Sequence, residues 1–363
     1  MQITINKKKF IDALTIGGAM SGKAKALPIL ELTKITASND SLDIFSFDGE
    51  CSISKTTTAQ ISEDGVFAVN APELVKVLKS LAEEEITLSI SDTTLSIKHI
   101  KGSIDMPIQD ASEYPYADKS DDVSSSFEIP SSKLQEWLTI ASNFVSQDDL
   151  KPTMCGMYLY AENGKLGMCA TDANKLYSDS IDMDTNDFKA ILSSRAFKPS
   201  LGIINGVDKI KVSVDDKNVT FISPDAELRC RLVDCNYPNF KAVIPAYSSI
   251  KVNVSKSELI DSVNRATLMA NKTTSLLKLT IESNEIGIEG SDVNFSKKAI
   301  EKVSCTKEGN DIIIGVKGEF FAMCLDVIES DEVVLCMDNP RRAILIDEKG
   351  REDRAILVMP MLI

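Results

Sequence analysis

Few side chains in this 363-residue chain have the type and spacing that catalysis or metal binding would require. The one histidine, His99, lies in the alternating run LSIKHIKGS, which predicts an exposed strand position. A single histidine supports neither a histidine-rich metal site nor more than one histidine-dependent catalytic step. The sequence also lacks a phosphate-binding glycine loop, a GxSxG turn and an HExxH motif.

The cysteine and aspartate residues do not predict a catalytic or metal-binding site either. The eight cysteines lie inside apolar runs without a CxxC pair, a pattern typical of free thiols that pack as small hydrophobic side chains. Asp172, in the segment Ala170-Thr171-Asp172, has no partner that would make it a convincing acid site. We therefore predict a protein that is not an enzyme and that uses no metal and no cofactor.

Length, composition and charge limit the number of domains, the cellular location and the kinds of partner that the chain can have. A composition of 43% hydrophobic and 26% charged residues is typical of soluble globular domains, and the length allows two or three of them. The sequence has no long apolar run and no secretory signal pattern in MQITINKKKF, so we expect a cytoplasmic protein with no membrane partner. The net charge of -14 opposes DNA binding unless basic residues are concentrated on one surface.

The chain contains three copies of one pattern, a short alternating strand followed directly by an amphipathic helix. The copies begin at Ile3, Phe127 and Val252, which are 124 and 125 residues apart. This spacing predicts three tandem domains at residues 1–124, 125–249 and 250–363. The predicted helix N-caps are Asn6, Ser131 and Ser255.

The same strand–helix pattern recurs about halfway along each predicted domain, near Phe67, Ala190 and Ile312. Each domain is thus predicted to contain two β-α-β-β-β halves, which makes an α+β fold with six repeats per chain. Pro199 lies inside the fourth predicted helix and should shorten or kink it.

The repeats predict a closed arrangement because a sheet is stable only when its edge strands are paired or covered. A ring with helices inside and antiparallel sheets outside would remove those edges. If two chains supply twelve helices of about 10 Å width, the hole is roughly 30 Å across, wide enough for duplex DNA. We therefore predict a ring-shaped homodimer.

The helix faces opposite the core would line that hole, and several carry basic residues. In the second helix the apolar stripe between Leu74 and Leu81 turns Lys76 and Lys79 to the opposite side. Basic residues at comparable positions of other helices are Lys8, Lys9, Arg195, Lys198 and Arg265. Such residues could contact phosphates without sequence preference, but ordinary solvated helix faces would show the same pattern.

Four segments resemble a known family: Ala26-Leu27-Pro28-Ile29-Leu30, Ala170-Thr171-Asp172, Tyr237-Pro238-Asn239-Phe240 and Val358-Met359-Pro360-Met361. With the threefold repeat, they make the whole chain resemble the DNA polymerase III beta subunit family, the bacterial sliding clamps. The resemblance implies a non-catalytic processivity factor that encircles duplex DNA. Its implied partners are the DNA polymerase III alpha subunit, clamp loader subunits, and other polymerases and repair proteins that carry a clamp-binding peptide.

The resemblance also implies three sets of site residues. The peptide would bind an adaptable apolar cleft between the second and third domains. The matching cleft positions are Met154, Thr171, Ala173, Asn174, Lys175, Leu176, Pro238, Ala242, Val243, Met323, Leu357, Met359, Pro360 and Met361. The implied dimer interface is Ile104 and Met106 against Leu268 and Met269, and the implied further DNA contacts are Lys23, Lys25 and Lys151. Helical phase independently turns Leu268 away from the core stripe, which favours an interface.

Two departures from the family pattern affect the implied cleft. The family often has glycine, an aromatic residue or histidine, and arginine where this chain has Ala173-Asn174-Lys175, and it commonly ends in Met-Arg-Leu rather than Met361-Leu362-Ile363. Peptide preference is expected to shift accordingly. The alternative interpretation is a β-rich tandem-repeat scaffold that binds proteins without encircling DNA, and such a scaffold should be monomeric.

Overall fold

A computed structural model describes residues 1–22, 27–116, 123–348 and 350–363. Within those ranges the chain forms six successive repeats of a strand, a helix and three strands, as the sequence predicted. None of the helices in the described ranges is long and apolar enough to span a membrane. The elements are numbered in chain order below.

The first three repeats occupy the N-terminal half of the chain. Repeat one contains β1 (Gln2–Asn6), α1 (Lys7–Gly17), β2 (Thr33–Ser38), β3 (Ser41–Phe47), β4 (Cys51–Thr58) and the short β5 (Gln60–Ile61). Repeat two contains β6 (Gly65–Val69), α2 (Ala71–Ser80), β7 (Glu85–Ile90), β8 (Thr94–His99) and β9 (Gly102–Pro107). Repeat three contains β10 (Val123–Pro130), α3 (Ser131–Phe144), β11 (Gly156–Glu162), β12 (Lys165–Thr171) and β13 (Lys175–Asp182).

The last three repeats have the same order of elements. Repeat four contains β14 (Phe188–Ser193), α4 (Phe197–Ile204), β15 (Lys209–Asp215), β16 (Asn218–Ile222) and β17 (Ala226–Arg231). Repeat five contains β18 (Ile250–Ser255), α5 (Lys256–Met269), β19 (Leu276–Ile281), β20 (Glu285–Asp292) and β21 (Lys297–Glu308). Repeat six contains β22 (Ile312–Lys317), α6 (Gly318–Asp326), β23 (Glu332–Met337), β24 (Ile344–Asp347), β25 (Ala355–Val358) and β26 (Pro360–Met361).

The structure confirms two of the three predicted helix N-caps. The Asn6 side chain accepts a hydrogen bond from the Lys9 amide, and the Ser255 hydroxyl accepts one from the Glu258 amide. The prediction for Ser131 was wrong, because Ser131 is the first residue of α3 and its buried hydroxyl has no hydrogen-bond partner within the described residues. The residue before α3 is Pro130, the last residue of β10, whereas Asn6 and Ser255 are the last residues before their helices, so the serine lies one position too late to cap α3.

Pro199 has the predicted effect on the fourth helix. The segment begins with a 3₁₀ turn at Ser194–Ala196, and α4 then spans only 8 residues. Pro199 is its third residue, where the amide hydrogen would have no partner inside the helix, so the proline is tolerated in a short helix.

The strands form antiparallel sheets in which the third strands after the helices of different repeats, here called the last strands, are joined. β4 of repeat one pairs with β17 of repeat four, and β13 of repeat three pairs with β25 of repeat six. The last strands of repeats two and five, β9 and β21, do not form such a joint in the part of the chain that the structure describes. β9 is an edge strand, and β21 pairs on its second side only from Cys305 to Glu308, with β18.

The chain divides into two compact bodies. One comprises Met1–Leu138 with Arg195–Leu232, and the other comprises Thr139–Ser194 with Val233–Ile363. Each body contains one of the two joints between last strands, which explains why repeats from different predicted domains are grouped together. The predicted domain limits at 124 and 249 stay a prediction; β10 begins at Val123 and β18 at Ile250.

The core of the first body is built by α1 and α2 against their sheets. Leu74 and Leu78 are fully buried, Leu81 is 8% exposed and Val75 is half-buried, so the predicted stripe is largely correct. α1 lies very close to β3: a Cβ on Gly17 would be only 2.4 Å from the Ile44 carbonyl oxygen. Glycine at the end of α1 therefore permits the helix to pack directly on the sheet.

Candidate functional site

The turn between β12 and β13 is organised by Asp172. One oxygen of its carboxylate accepts the amide hydrogens of Asn174 at 2.8 Å and Lys175 at 2.9 Å, and the other lies 2.5 Å from the Lys175 ammonium nitrogen. The Thr171 hydroxyl donates to the Lys175 carbonyl at 2.7 Å and accepts from the Ala173 amide at 3.1 Å. Aspartate and threonine thus have a structural role here, and the turn presents Asn174 to solvent.

Ala173 adopts a left-handed backbone conformation, with φ of 76°. An L-residue with a Cβ pays about 1 to 2 kcal/mol in that region, whereas glycine does not. The glycine that the family resemblance implies at this position therefore has a physical explanation: the turn requires positive φ. This chain retains the turn and bears the strain.

Ala173→Gly is expected to raise the free energy of unfolding by about 1 kcal/mol, because relief of backbone strain exceeds the added entropy of the unfolded chain. Urea unfolding followed by circular dichroism would measure it. The matched control is Ala242→Gly, at an exposed alanine outside the positive-φ residues, which should lower stability by up to about 1 kcal/mol. A destabilised Ala173→Gly protein would contradict the explanation.

The Lys175 ammonium is enclosed by rings as well as by Asp172. Its nitrogen lies 4.4 Å from the centroid of the Phe320 ring and 5.8 Å from that of Phe144, and its side chain is only 5% exposed. Cation–π attraction and the ion pair together compensate for the desolvation of the charge. The sequence analysis named Lys175 among the cleft residues but missed Phe320, whose ring lies against the buried ammonium group.

A groove of about 610 Å³ opens beside this buried ion pair. It is lined by Ser142, Asn143, Val145, Ser146, Gln147, Asp148, Lys151, Asp172, Asn174, Lys175, Phe320 and Met323. Three of the predicted cleft residues therefore share the groove with Lys151, which was predicted to contact DNA. The lining residues that precede Lys151 were not predicted: Ser142 and Asn143 lie in the last turn of α3, and the residues from Val145 to Asp148 follow it in a segment without periodicity.

The other predicted cleft residues are either buried supports or surface side chains. Leu176 and Leu357 are buried in one apolar cluster with Phe240. We call this cluster the floor of the predicted cleft. Thr171 is buried within the turn, and the remaining predicted residues are exposed or half-buried: Met154, Ala173, Pro238, Ala242, Val243, Met359, Pro360 and Met361. The amide of Met359 donates to the Asn174 carbonyl at 2.7 Å, which ties the C-terminal segment to the Asp172 turn.

The predicted DNA-facing residues divide into two groups. Lys8, Lys9, Lys76, Lys79, Lys151 and Lys198 are exposed. Arg195 and Arg265 are also exposed, but each is paired with a carboxylate: Arg195 with Glu50 at 3.1 Å and Arg265 with Glu301 at 2.6 Å. The hydrogen bond to Arg265 lowers the pKa of Glu301, so a phosphate would have to displace an ionised partner. Lys23 and Lys25 lie outside the described residues.

The predicted interface residues differ in their exposure to solvent. Leu268 is 71% exposed and Met269 is 36% exposed at the end of α5, as helical phase predicted for Leu268. Met106 is 4% exposed and belongs to the core of the first body, with Ile104 half-buried against the same core. Because residues 104 and 106 share one face of β9, both turn inward, and Met106 cannot present its side chain to a partner as the sequence analysis expected.

The two residue types considered first for chemistry have no organised site around them in the described parts of the chain. His99 is half-buried at the end of β8, and six cysteines are buried, with Cys155 half-buried and Cys235 exposed. Burial raises the pKa values of the Cys169 and Cys324 thiols, which keeps them protonated and unreactive. No group of three or more metal-ligating side chains occurs among the residues that the structure describes.

Models of three domains of the DNA polymerase III beta subunit match the chain. The N-terminal domain matches residues 1–118, the central domain 128–239 and the C-terminal domain 241–362. The chain belongs to the DNA polymerase III beta subunit family. The matches leave only short segments of the chain uncovered, and the three-domain clamp fold of this beta subunit agrees with the six repeats described above. Members of the family are non-catalytic.

Individual relatives of this beta subunit are distant but full-length. The beta sliding clamp of Bacillus subtilis (strain 168) is 22% identical over 379 residues, which covers 99% of each chain. The crystal structure of the Thermotoga maritima beta subunit has a TM-score of 0.93 at 23% identity, covering 100% of this chain and 99% of that one. The Pseudomonas aeruginosa sliding clamp bound to griselimycin has a TM-score of 0.94 at 20% identity and covers 100% of both chains.

Proposed function

We propose that this chain is a sliding clamp: two copies close head to tail around duplex DNA in the bacterial cytoplasm and tether replication proteins through a peptide cleft. The proposed partners are the DNA polymerase III alpha subunit, clamp loader subunits, and other polymerases and repair proteins with a clamp-binding peptide. The main support for a ring-shaped dimer is the pattern of joints between last strands. Two such joints form within the chain, and one pair of last strands has no joint in the ranges that the structure describes.

The edge strands explain why a second chain is needed. β4 pairs with β17, and β13 with β25, but β9 and the Lys297–Val303 part of β21 each leave one side without a strand in the described residues. Antiparallel pairing of β9 with β21 of another copy would repeat the existing joints. An unpaired edge strand tends to pair with a strand of another chain. In a head-to-tail dimer, β9 of each copy pairs with β21 of the other, so neither edge stays unpaired.

Exposed apolar side chains near β21 support this interface. Val293 is 88% exposed and Phe295 is 71% exposed in the turn that precedes β21, and Leu268 is 71% exposed at the end of α5. The Asn271 amide donates to the Ser291 carbonyl at 3.1 Å, which holds the end of α5 next to that turn. A cluster of large apolar side chains beside a free strand edge is typical of a protein interface.

The DNA proposal depends on where the positive charge lies rather than on its total. Lys8 and Lys9 on α1, Lys76 and Lys79 on α2, and Lys198 on α4 are exposed, and no ion pair to them occurs within the described ranges. Phosphate contacts by such lysines would be weak, salt-dependent and independent of base sequence. That is the kind of contact that allows a closed ring to slide.

Encirclement of DNA is tested by loading the protein onto nicked circular plasmid with a clamp loader and then cutting the circle once. We expect the protein to remain on the circle through a gel-filtration column and to leave after linearisation, because a ring can slide off a free end. Protein that stays on the linear DNA would show that the link is not topological. A protein that is also monomeric would favour the tandem-repeat scaffold instead.

A further inference from the structure

A second pocket, of about 290 Å³, lies next to the apolar floor of the proposed cleft. Its walls are the rings of Tyr158, Tyr160 and Tyr237 with Pro238 and Phe240, and Lys189, Glu162 and Lys241 complete the lining. We refer to it as the tyrosine pocket. Tyr160 and Phe240 belong to the same buried cluster as Leu176 and Leu357, so the pocket and the cleft floor are continuous.

The rings of the tyrosine pocket are held in place by one another. Tyr158 and Tyr237 are stacked with their centroids 4.7 Å apart and their planes 6° apart, and Tyr158 lies 5.2 Å from Tyr160. The Tyr237 hydroxyl donates to the Cys169 carbonyl at 3.3 Å, while Phe240 packs against both Tyr158 and Tyr160. A pocket built from packed rings loses little conformational entropy when it is filled.

The rim of the pocket carries a net positive charge in a chain whose net charge is -14. Lys241 pairs with Glu162 at 2.7 Å, and Lys241, with a smaller contribution from Lys189, lowers the pKa of the Glu162 carboxyl. Two ammonium groups therefore face one carboxylate. Burial raises the pKa of Tyr158, so its hydroxyl stays protonated and can donate a hydrogen bond.

We infer that the tyrosine pocket receives an acidic residue that flanks the hydrophobic segment of the partner peptide in the cleft. The carboxylate would lie beside Lys189 at the rim, and its methylene groups would contact the rings of Tyr158 and Tyr237. This inference rests on the proposed peptide-binding function and adds a specificity determinant to it. Two observations support this inference: the net positive charge of the pocket rim complements an acidic residue, and the pocket is continuous with the cleft floor.

The test compares a core hydrophobic clamp-binding peptide with the same peptide extended by three residues at either end. Each extension carries glutamate in one version and lysine in the other, and dissociation constants are measured by fluorescence anisotropy at low salt. We expect a glutamate extension at one end to tighten binding about threefold to fivefold, as for a solvent-exposed ion pair. Lys189→Ala should remove that gain and leave the affinity of the core peptide unchanged.

Two further variants separate the pocket from the cleft. Lys165→Ala removes another exposed lysine, on β12, outside the pocket lining and should retain the gain. Met361→Ala should weaken the core and extended peptides equally. The inference is overturned if neither glutamate extension binds more tightly than its lysine counterpart, or if the gain survives Lys189→Ala. A core peptide that does not bind the wild-type protein at all would instead refute the proposed cleft.

Discussion

Arg354→Met is expected to lower the free energy of unfolding by about 3 to 5 kcal/mol, because it removes the guanidinium that pairs with the buried Glu348 carboxylate and leaves buried Asp179 with Arg351 as its remaining arginine. The Arg354 side chain is 2% exposed, and its guanidinium lies 3.0 Å from Glu348 and 3.9 Å from Asp179. Glu348 also accepts the amide hydrogens of Glu329 and Ser330, at 3.0 Å and 2.9 Å. The substitution therefore disturbs a network that connects β13, the residues after β24 and the residues after α6.

Urea unfolding followed by circular dichroism would measure this loss, with Arg342→Met as the matched control. Arg342 is 69% exposed and lies 3.7 Å from Asp338, so the same substitution there should cost less than about 1 kcal/mol. Arg354→Lys retains the charge but not the planar guanidinium, and we expect an intermediate loss. Equal, small losses for Arg354→Met and Arg342→Met would mean that the buried network contributes little.

Leu268→Asp is expected to convert the protein from a dimer to a monomer at micromolar concentration. The side chain is exposed in the single chain, so the substitution should not disturb folding, but in the proposed ring it would place an unpaired charge in an interface. A penalty of about 3 kcal/mol corresponds to a dissociation constant roughly 100-fold higher. Sedimentation velocity over a dilution series would measure the change.

Leu150→Asp is the control for the dimer experiment, since Leu150 is 90% exposed in the loop after α3 and outside the proposed interface. It should sediment like the wild-type protein, at twice the chain mass. Circular dichroism establishes that both variants are folded. A Leu268→Asp protein that remains fully dimeric would exclude the end of α5 from the interface and would place the joint elsewhere.

Local sequence patterns determined the repeat architecture of this protein. The recurrence of strand and helix predicted six repeats, and helical phase correctly turned Leu268 and Lys76 away from the core, because both depend only on residues close in sequence. The short α4 followed from Pro199 for the same reason. The family resemblance, carried by local motifs such as Tyr237-Pro238-Asn239-Phe240, agrees with the three domain matches.

Only the tertiary structure decided which side chains of these elements are available for binding. Met106 turned out to be a core residue, Lys175 a buried ion-pair partner of Asp172, and Arg265 a partner of Glu301, 36 residues away in sequence. An alternating strand has two faces, and its sequence does not reveal which face other elements cover. Burial and ion pairing depend on residues brought together across sheets, so the binding surface emerges from the fold rather than from the motifs.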